Sequence, residues 1–516
     1  MDAMMNLAQK WHEGQSRREA KGEPPVPYFK HPEAVVLNLL EWGEPEGSAA
    51  VSIAWGHDLL EDTKVPAADI LAASNAEVLD GTRLLTHEKG TDKRLYLRKV
   101  ARSGNRDALL VKLSDRIQKS RDFVKLEGPL RAFRYLHDAD CIFEAAKKLP
   151  SDPVLEQSVA AWEELDKRLR DDARHDAIRG CILGGAVGDA LGAPVEFMDE
   201  VDIRRKYGKD GVNGYVEFAD GTGAITDDTQ MTLFTAEGIL RGNTRFLAKG
   251  ICCAEGVVHG AYNRWLKTQG IIVDPPPKDL DSGWLIKEKQ LYRRRAPGAT
   301  CINSLRFNRY ANEADNQSKG CGTVMRMAPA GLFFSPQYAY ELGCKFSALT
   351  HGHPTAITAG GAFAMLIAQL LSGKSLDEAL DLVMVHLDAQ PDAAETLAAL
   401  KKARTAKKVS QIGEGWVAED ALSIGVCCAL KHPWDFRAGV LEAVNITGDS
   451  DSTGAIAGNI LGVINGEKAI PTEWLADLQE YRIVSQVADD LWKSFYEESE
   501  GYGHAADEWW EKYPGF

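Results

Sequence analysis

From residue 176 onward, glycine and alanine recur inside apolar stretches, as in IRGCILGGAVGDALGAPVEF and TAGGAFAMLIAQLLSG. Glycine costs a helix about 1 kcal/mol relative to alanine, so its repeated use there calls for a packing reason. Small residues let helix backbones approach closely, which points to a compact domain of many helices. Upstream, HPEAVVLNLLEWG, SAAVSIAWGHDLLEDT, DALLVKLSDRIQKSRDF and PLRAFRYLHDADCIFEAAKKL carry apolar residues at helical spacing, while β signals are sparse. The expected fold is all-α, in two helical domains.

The stretch PSDPVLEQSVAAWEELDKRLRDDARHD is rich in charge and helix formers. It is expected to be a connecting helix over 151–175, between a first domain at 1–150 and a second at 176–516. A chain of 516 residues suits two domains better than one. The net charge of −15 and pI near 5.4 argue against nucleic acid and anionic membranes as partners. Nine scattered cysteines without a C-x-x-C pair indicate neither a disulfide framework nor a zinc site, and a cytoplasmic location is expected. No signal peptide is expected at MDAMMNLAQKWHEGQ, which lacks an apolar h-region. The apolar run at 361–373 falls short of the roughly 20 residues of a membrane span and reads as a buried helix.

Two groups of ionisable residues stand out. In SIAWGHDLLEDT, a continuous helix would stack Glu61 over His57 and Asp62 over Asp58, crowding four ionisable groups between apolar flanks. Buried carboxylates need a cation. His31 in YFKHPEAV and Asp115 in LLVKLSDRIQKS supply further candidates, and imidazole with carboxylate suits a divalent transition metal. In the second half, TDDT at 226–229 and GDSDST at 448–453 gather hydroxyls with Asp227, Asp228, Asp449 and Asp451, an all-oxygen set that favours Mg²⁺, Mn²⁺ or Ca²⁺. Two ions roughly 3.5–4 Å apart could share a carboxylate there. Each segment alone could be a helix cap or an Asx turn. GGAVGDALG echoes a dinucleotide fingerprint, but that reading would also need a preceding strand and a ribose-binding acid about twenty residues on.

The order H…HD…D, with HEGQSRREAKGEPPVPYFKHP, HDLLEDT and VKLSDRIQKSRDF, resembles the HD superfamily of phosphohydrolases, and within it the hydrolase domain of the Rel/Spo-type alarmone enzymes, over roughly residues 5–150. The resemblance implies one Mn²⁺ or other divalent transition ion on His31, His57, Asp58 and Asp115, and Glu61 and Asp62 handling the attacking water. It also implies a pyrophosphorylated purine nucleotide as substrate, which Arg17 and Arg18 are placed to meet. The family generally has Asn four residues after the last metal Asp, where it touches substrate; this chain has Lys119, and the synthetase domain of the long members is missing.

GGAVGDALGAPVEF, TDDTQMTL, RRAPGATCINSL, NQSKGCGTVMRMAPAGL, ALTHGHP and GDSDSTGAIAGNILG together resemble, in order, the ADP-ribosylglycohydrolase family over about 176–480. That likeness implies an all-helical fold with two Mg²⁺ on Thr226, Asp227, Asp228, Asp449 and Asp451, plus a hydroxyl from Ser452 or Thr453. It implies Glu196 as the catalytic carboxylate and Asp189 against the substrate. Gly320, Cys321 and Gly322 would meet the diphosphate, and His351 and His353 the adenine or ribose. The expected function is a two-domain hydrolase that removes ADP-ribose from a modified protein or small molecule and hydrolyses a ppGpp-like nucleotide, in toxin reversal or immunity. The alternative is a binding or immunity protein without turnover.

Overall fold

In the computed structural model, which describes residues 3–17, 23–218, 221–308, 310–494 and 504–515, helices dominate. Among the described residues no strand forms, and three isolated β-bridges are the extended pairing present. The chain divides into two units, Met1–Ala173 and Arg174–Phe516. Where a connecting helix is expected, one 40-residue helix, Pro153–Gly192, runs through the boundary, so its last turns belong to the second unit.

In the first unit, the helices Lys30–Glu41, Ala49–Gly56 and Arg106–Leu126 pack on one another through Val35, Leu39, Val51, Ala54, Leu109 and Leu113. Ser48 caps Ala49–Gly56 and Asn105 caps Arg106–Leu126, each accepting a backbone N–H three residues on. A buried polar tie fixes the register of two of these helices. Ser114 Oγ donates to the Val35 carbonyl at 2.8 Å and accepts from Asn38 Nδ2 at 3.1 Å, one residue before Asp115.

In the second unit, the last turns of Pro153–Gly192 meet the helix Ser450–Asn465 antiparallel along a ladder of glycines. Gly180 faces Gly462, Gly184 faces Gly458, and Gly188 faces Gly454. A Cβ on any of the six would lie 1.9–2.5 Å from its partner's carbonyl oxygen, so no other residue fits without displacing a helix. This contact is the packing reason for glycines that helix propensity disfavours. Asn459 Nδ2 donates to the Cys181 carbonyl at 2.7 Å beside the ladder. The helix Pro354–Leu371, long and apolar enough to cross a bilayer, is 83% buried within the fold and serves as a core helix.

Candidate functional site

In the second unit both acidic segments begin helices. Thr226 caps Asp227–Lys249 and Asp449 caps Ser450–Asn465, so the carboxylates stand at the positive ends of two helix dipoles. Thr226 Oγ1 lies 3.3 Å from Asp451 Oδ2 and 3.5 Å from Asp228 Oδ2, joining the two segments. Carboxylate oxygens of Glu196, Asp449 and Asp451 come within 4.8 Å of one another. Glu196 follows the short turn Ala193–Val195 that ends the long helix, which leaves it half-buried at the edge of the cluster. Asp227 Oδ2 accepts the Gly298 amide at 3.1 Å.

Burial pushes these carboxyls upward: Asp227 to about 7 and Glu196 to about 8, with the Asp449 and Asp227 charges adding to the latter. Asp228, Asp449 and Asp451 are raised for the same first reason. Asp228 Oδ1 is buried with no hydrogen-bond partner. An all-oxygen donor set of this charge, with an orphaned acceptor inside it, fits hard divalent cations.

The geometry separates the two candidate hydroxyls. Thr453 Oγ1 faces the Asp449 carbonyl at the start of its own helix at 2.8 Å and the Ala443 carbonyl of the preceding helix, Phe436–Val444, at 2.9 Å, which turns it away from the cluster. Ser452 Oγ faces Asp228 and lies near the sulfurs of Cys321 and Met325. Asp189, expected against the substrate, is instead fully buried, with both oxygens consumed by the amides and hydroxyls of Thr226 and Thr229 at 2.5–3.1 Å. It fixes the start of the Asp227 helix.

Of the Gly320 and Gly322 amides expected at a diphosphate, the first is taken up within the protein, as is the intervening Cys321 amide. Gly320 N donates to Ser318 Oγ, and Cys321 N donates to the Trp416 carbonyl beside the Gly320–Val417 bridge. Cys321 Sγ lies 2.7 Å from Asp449 Oδ2. His351 is buried against Gly320 and Gly322, and burial lowers its imidazole to about 3, so it stays neutral. His353 caps Pro354–Leu371, accepting the Thr355 amide, which is a structural role. Sequence reasoning missed an exposed aromatic pair, Phe197 and Trp416, stacked 5.6 Å apart beside Glu196.

In the first unit, His31 Nε2 lies 3.3 Å from His57 Nε2, 3.1 Å from Asp115 Oδ1 and 3.5 Å from Asp58 Oδ2. His57 Nε2 lies 3.1 Å from Asp58 Oδ2, and its Nδ1 points to the Ala54 carbonyl at 2.7 Å. That second bond directs the Nε2 lone pair inward. Burial, with the Lys119 charge, lowers His31 to about 4, which keeps a ligating lone pair free. Two imidazoles and two carboxylates facing one another in this way fit a divalent transition ion.

The expected continuous helix is broken at His57 and Asp58, and the short helix Leu59–Asp62 starts anew. The turn swings Glu61 out of the cluster, where its carboxylate accepts the His87 amide at 3.0 Å. Asp62 remains linked, because Tyr28 Oη lies 2.7 Å from both Asp58 Oδ2 and Asp62 Oδ2. Tyr28, three residues before His31, was not singled out by sequence. Arg17 is paired with Asp122 at 2.8 Å, and Arg18 lies outside the described residues. Lys112 holds Asp115 Oδ2 and Lys119 holds Asp115 Oδ1, both at 2.9 Å.

A family model described as ADP-ribosylglycohydrolase matches residues 170–501. The ADP-ribosyl-[dinitrogen reductase] glycohydrolase of Rhodospirillum rubrum is 27% identical over 334 residues, covering 61% of this chain and 96% of that protein. The ADP-ribosylarginine hydrolase Tri1 of Pseudomonas putida is 24% identical over 319 residues, covering 61% and 78%. A probable guanosine-3′,5′-bis(diphosphate) 3′-pyrophosphohydrolase of Mycoplasma pneumoniae is 29% identical over 140 residues, which are 24% of this chain and 18% of that protein.

Proposed function

Because the chain belongs to the ADP-ribosylglycohydrolase family over residues 170–501, we propose that its second unit removes ADP-ribose from a modified protein or small molecule. Thr226, Asp227, Asp228, Asp449, Asp451 and Ser452 would hold two Mg²⁺. Bound there, divalent ions polarise the ribose hydroxyls and steady the charge that develops as the glycosidic bond breaks. Glu196, at the edge of the cluster, orients water toward the anomeric carbon and takes its proton. With cations beside it, its raised carboxyl returns toward the ionised form that a base requires. Asp189 acts through Thr226 and Thr229, holding the first turn of the Asp227 helix in register. The observation that carries the reading is the convergence of Thr226 and Asp228 on Asp451 around an acceptor oxygen that has no partner.

For the first unit we propose hydrolysis of a pyrophosphorylated purine nucleotide, with a Mn²⁺ or other divalent transition ion on His31, His57, Asp58 and Asp115. Asp62, tied to Asp58 through Tyr28, is placed to position water. Lys119 against Asp115 favours a second reading for this unit, a nucleotide-binding module without turnover. On the hydrolytic reading, both units would act on purine-nucleotide marks, as a protein that reverses a toxin or defence modification would.

The test offers ADP-ribosylated protein, ADP-ribosylated small molecules and 3′-pyrophosphorylated guanosine and adenosine nucleotides in parallel, with Mg²⁺ or Mn²⁺. Asp451→Ala should abolish ADP-ribose release and leave nucleotide hydrolysis intact, and Asp58→Ala should do the reverse. No ADP-ribose release by the wild-type protein from any acceptor would refute the assignment of the second unit.

A further inference from the structure

Of the four atoms that converge in the first unit, two are carboxylate oxygens, Asp58 Oδ2 and Asp115 Oδ1. A side-chain cation already stands at both: Lys119 Nζ lies 2.9 Å from Asp115 Oδ1 and 3.8 Å from Asp58 Oδ2. The other Asp115 oxygen is held by Lys112 at 2.9 Å. Asp58 Oδ2 also faces Tyr28 Oη at 2.7 Å. Two carboxylates and two ammonium groups therefore sum to zero net charge before any ion arrives.

The two lysines differ in reach. Lys112 lies inside, its side chain 10% exposed, and engages the Asp115 oxygen away from the histidines. Lys119 is 26% exposed and engages the oxygen that faces His31 and His57. An ammonium and a divalent ion cannot share that oxygen cheaply, since like charges a few ångströms apart repel strongly in a partly desolvated site.

We propose that Lys119 is a built-in competitor for the divalent ion at Asp115, so that the first unit of this chain binds such an ion at least tenfold more weakly than the same site would with a neutral residue at 119. The proposal rests on the reading of His31, His57, Asp58 and Asp115 as a metal cluster. It accounts for a site that keeps every expected ligand and yet sets a cation among them.

The experiment counts tightly bound Mn²⁺ on the full-length protein by electron paramagnetic resonance at micromolar free metal. The proteins compared are wild type, His57→Ala, Lys119→Asn, Lys119→Met and the double variant Lys119→Asn/His57→Ala, with circular dichroism confirming the fold of each. The second unit contributes equally to all five, so differences report the first. Wild type and His57→Ala should bind the same number of ions, both Lys119 variants should gain one tight equivalent, and His57→Ala should remove that gain. Loss of one tight equivalent in His57→Ala alone would show the wild-type site already filled and would overturn the proposal while leaving the metal reading intact. No gain in either Lys119 variant, together with no loss in His57→Ala, would overturn the metal reading and the proposal with it.

Discussion

Replacing Gly458 by alanine tests whether the glycine ladder sets the geometry of the acidic cluster. The added Cβ would stand 2.0 Å from the Gly184 carbonyl oxygen and 2.6 Å from its carbon. Ordinary C···O contacts lie near ~3.4 Å, so the two helices must part by about 1.4 Å. Overpacking of this kind costs about 1–3 kcal/mol. Loss of the Asn459–Cys181 hydrogen bond adds about 1–3 kcal/mol, because the buried Asn459 amide is left without its acceptor. Alanine's better helix propensity returns about 1 kcal/mol. The expected net destabilisation is about 1–5 kcal/mol, read as a lower midpoint in denaturant and a lower Tm. Because Asp451 rides on the displaced helix, Mg²⁺ affinity measured by calorimetry should fall at least tenfold. Gly214→Ala is the control, since its nearest neighbour would be Trp474 Nε1 at an ordinary 3.7 Å; it should stay within about 0.5 kcal/mol of wild type. A Gly458→Ala protein with unchanged midpoint and unchanged Mg²⁺ affinity would refute the reasoning.

Glu196→Gln should lower the rate of ADP-ribose release by about 10²–10⁴-fold, with binding of free ADP-ribose retained, as rate and calorimetric measurements would show. Metal removal should make stability pH-dependent in a defined direction. Asp189, Asp227 and Glu196 stand at about 6, 7 and 8 in the folded chain, raised above their unfolded values chiefly by burial. Their contribution is fully present below about pH 4, the unfolded range, and is lost as pH rises through about 6–8. Chelated protein should therefore lose Tm from pH 5 to pH 8, and Mg²⁺ should raise Tm more at pH 8 than at pH 5. Thr229→Val removes one hydrogen bond from Asp189 by deleting a hydroxyl 2.5 Å from its Oδ2; a loss of about 1–3 kcal/mol is expected in denaturant melts. Ser114→Ala, which breaks the tie between Asn38 and Val35, should cost the first unit a similar amount.

The all-helical fold was legible because apolar spacing and the scarcity of β signals agree along the whole chain. The glycines of the second half announced close helix contact, although their pairing, Gly184 with Gly458 for instance, depends on the fold. The acidic segments could be found from local sequence, since carboxylates crowded as in TDDT and GDSDST repel one another unless a cation joins them. Finer assignments depended on local turns that periodicity does not encode. Stacking Glu61 over His57 presumes an unbroken helix, and the break at His57–Asp58 sends Glu61 to the His87 amide. Asp189 was expected against the substrate because its motif resembles the family's; only the three-dimensional arrangement shows Thr226 and Thr229 consuming both oxygens. Choosing between Ser452 and Thr453 likewise needed the helix phase, which points Thr453 at the Asp449 carbonyl. Lys119 was visible as a departure, but not its place against Asp115.

The acidic cluster is split across the chain, with Asp227 and Asp228 in one helix start and Asp449 and Asp451 in another. During synthesis the first pair emerges more than two hundred residues before the second. Until the later helix docks, the early carboxylates face water and lack the partners needed to grip a hard cation. If the cluster holds a divalent ion as proposed, a nascent or truncated chain ending before residue 449 would lack half of its ligands and bind that ion weakly.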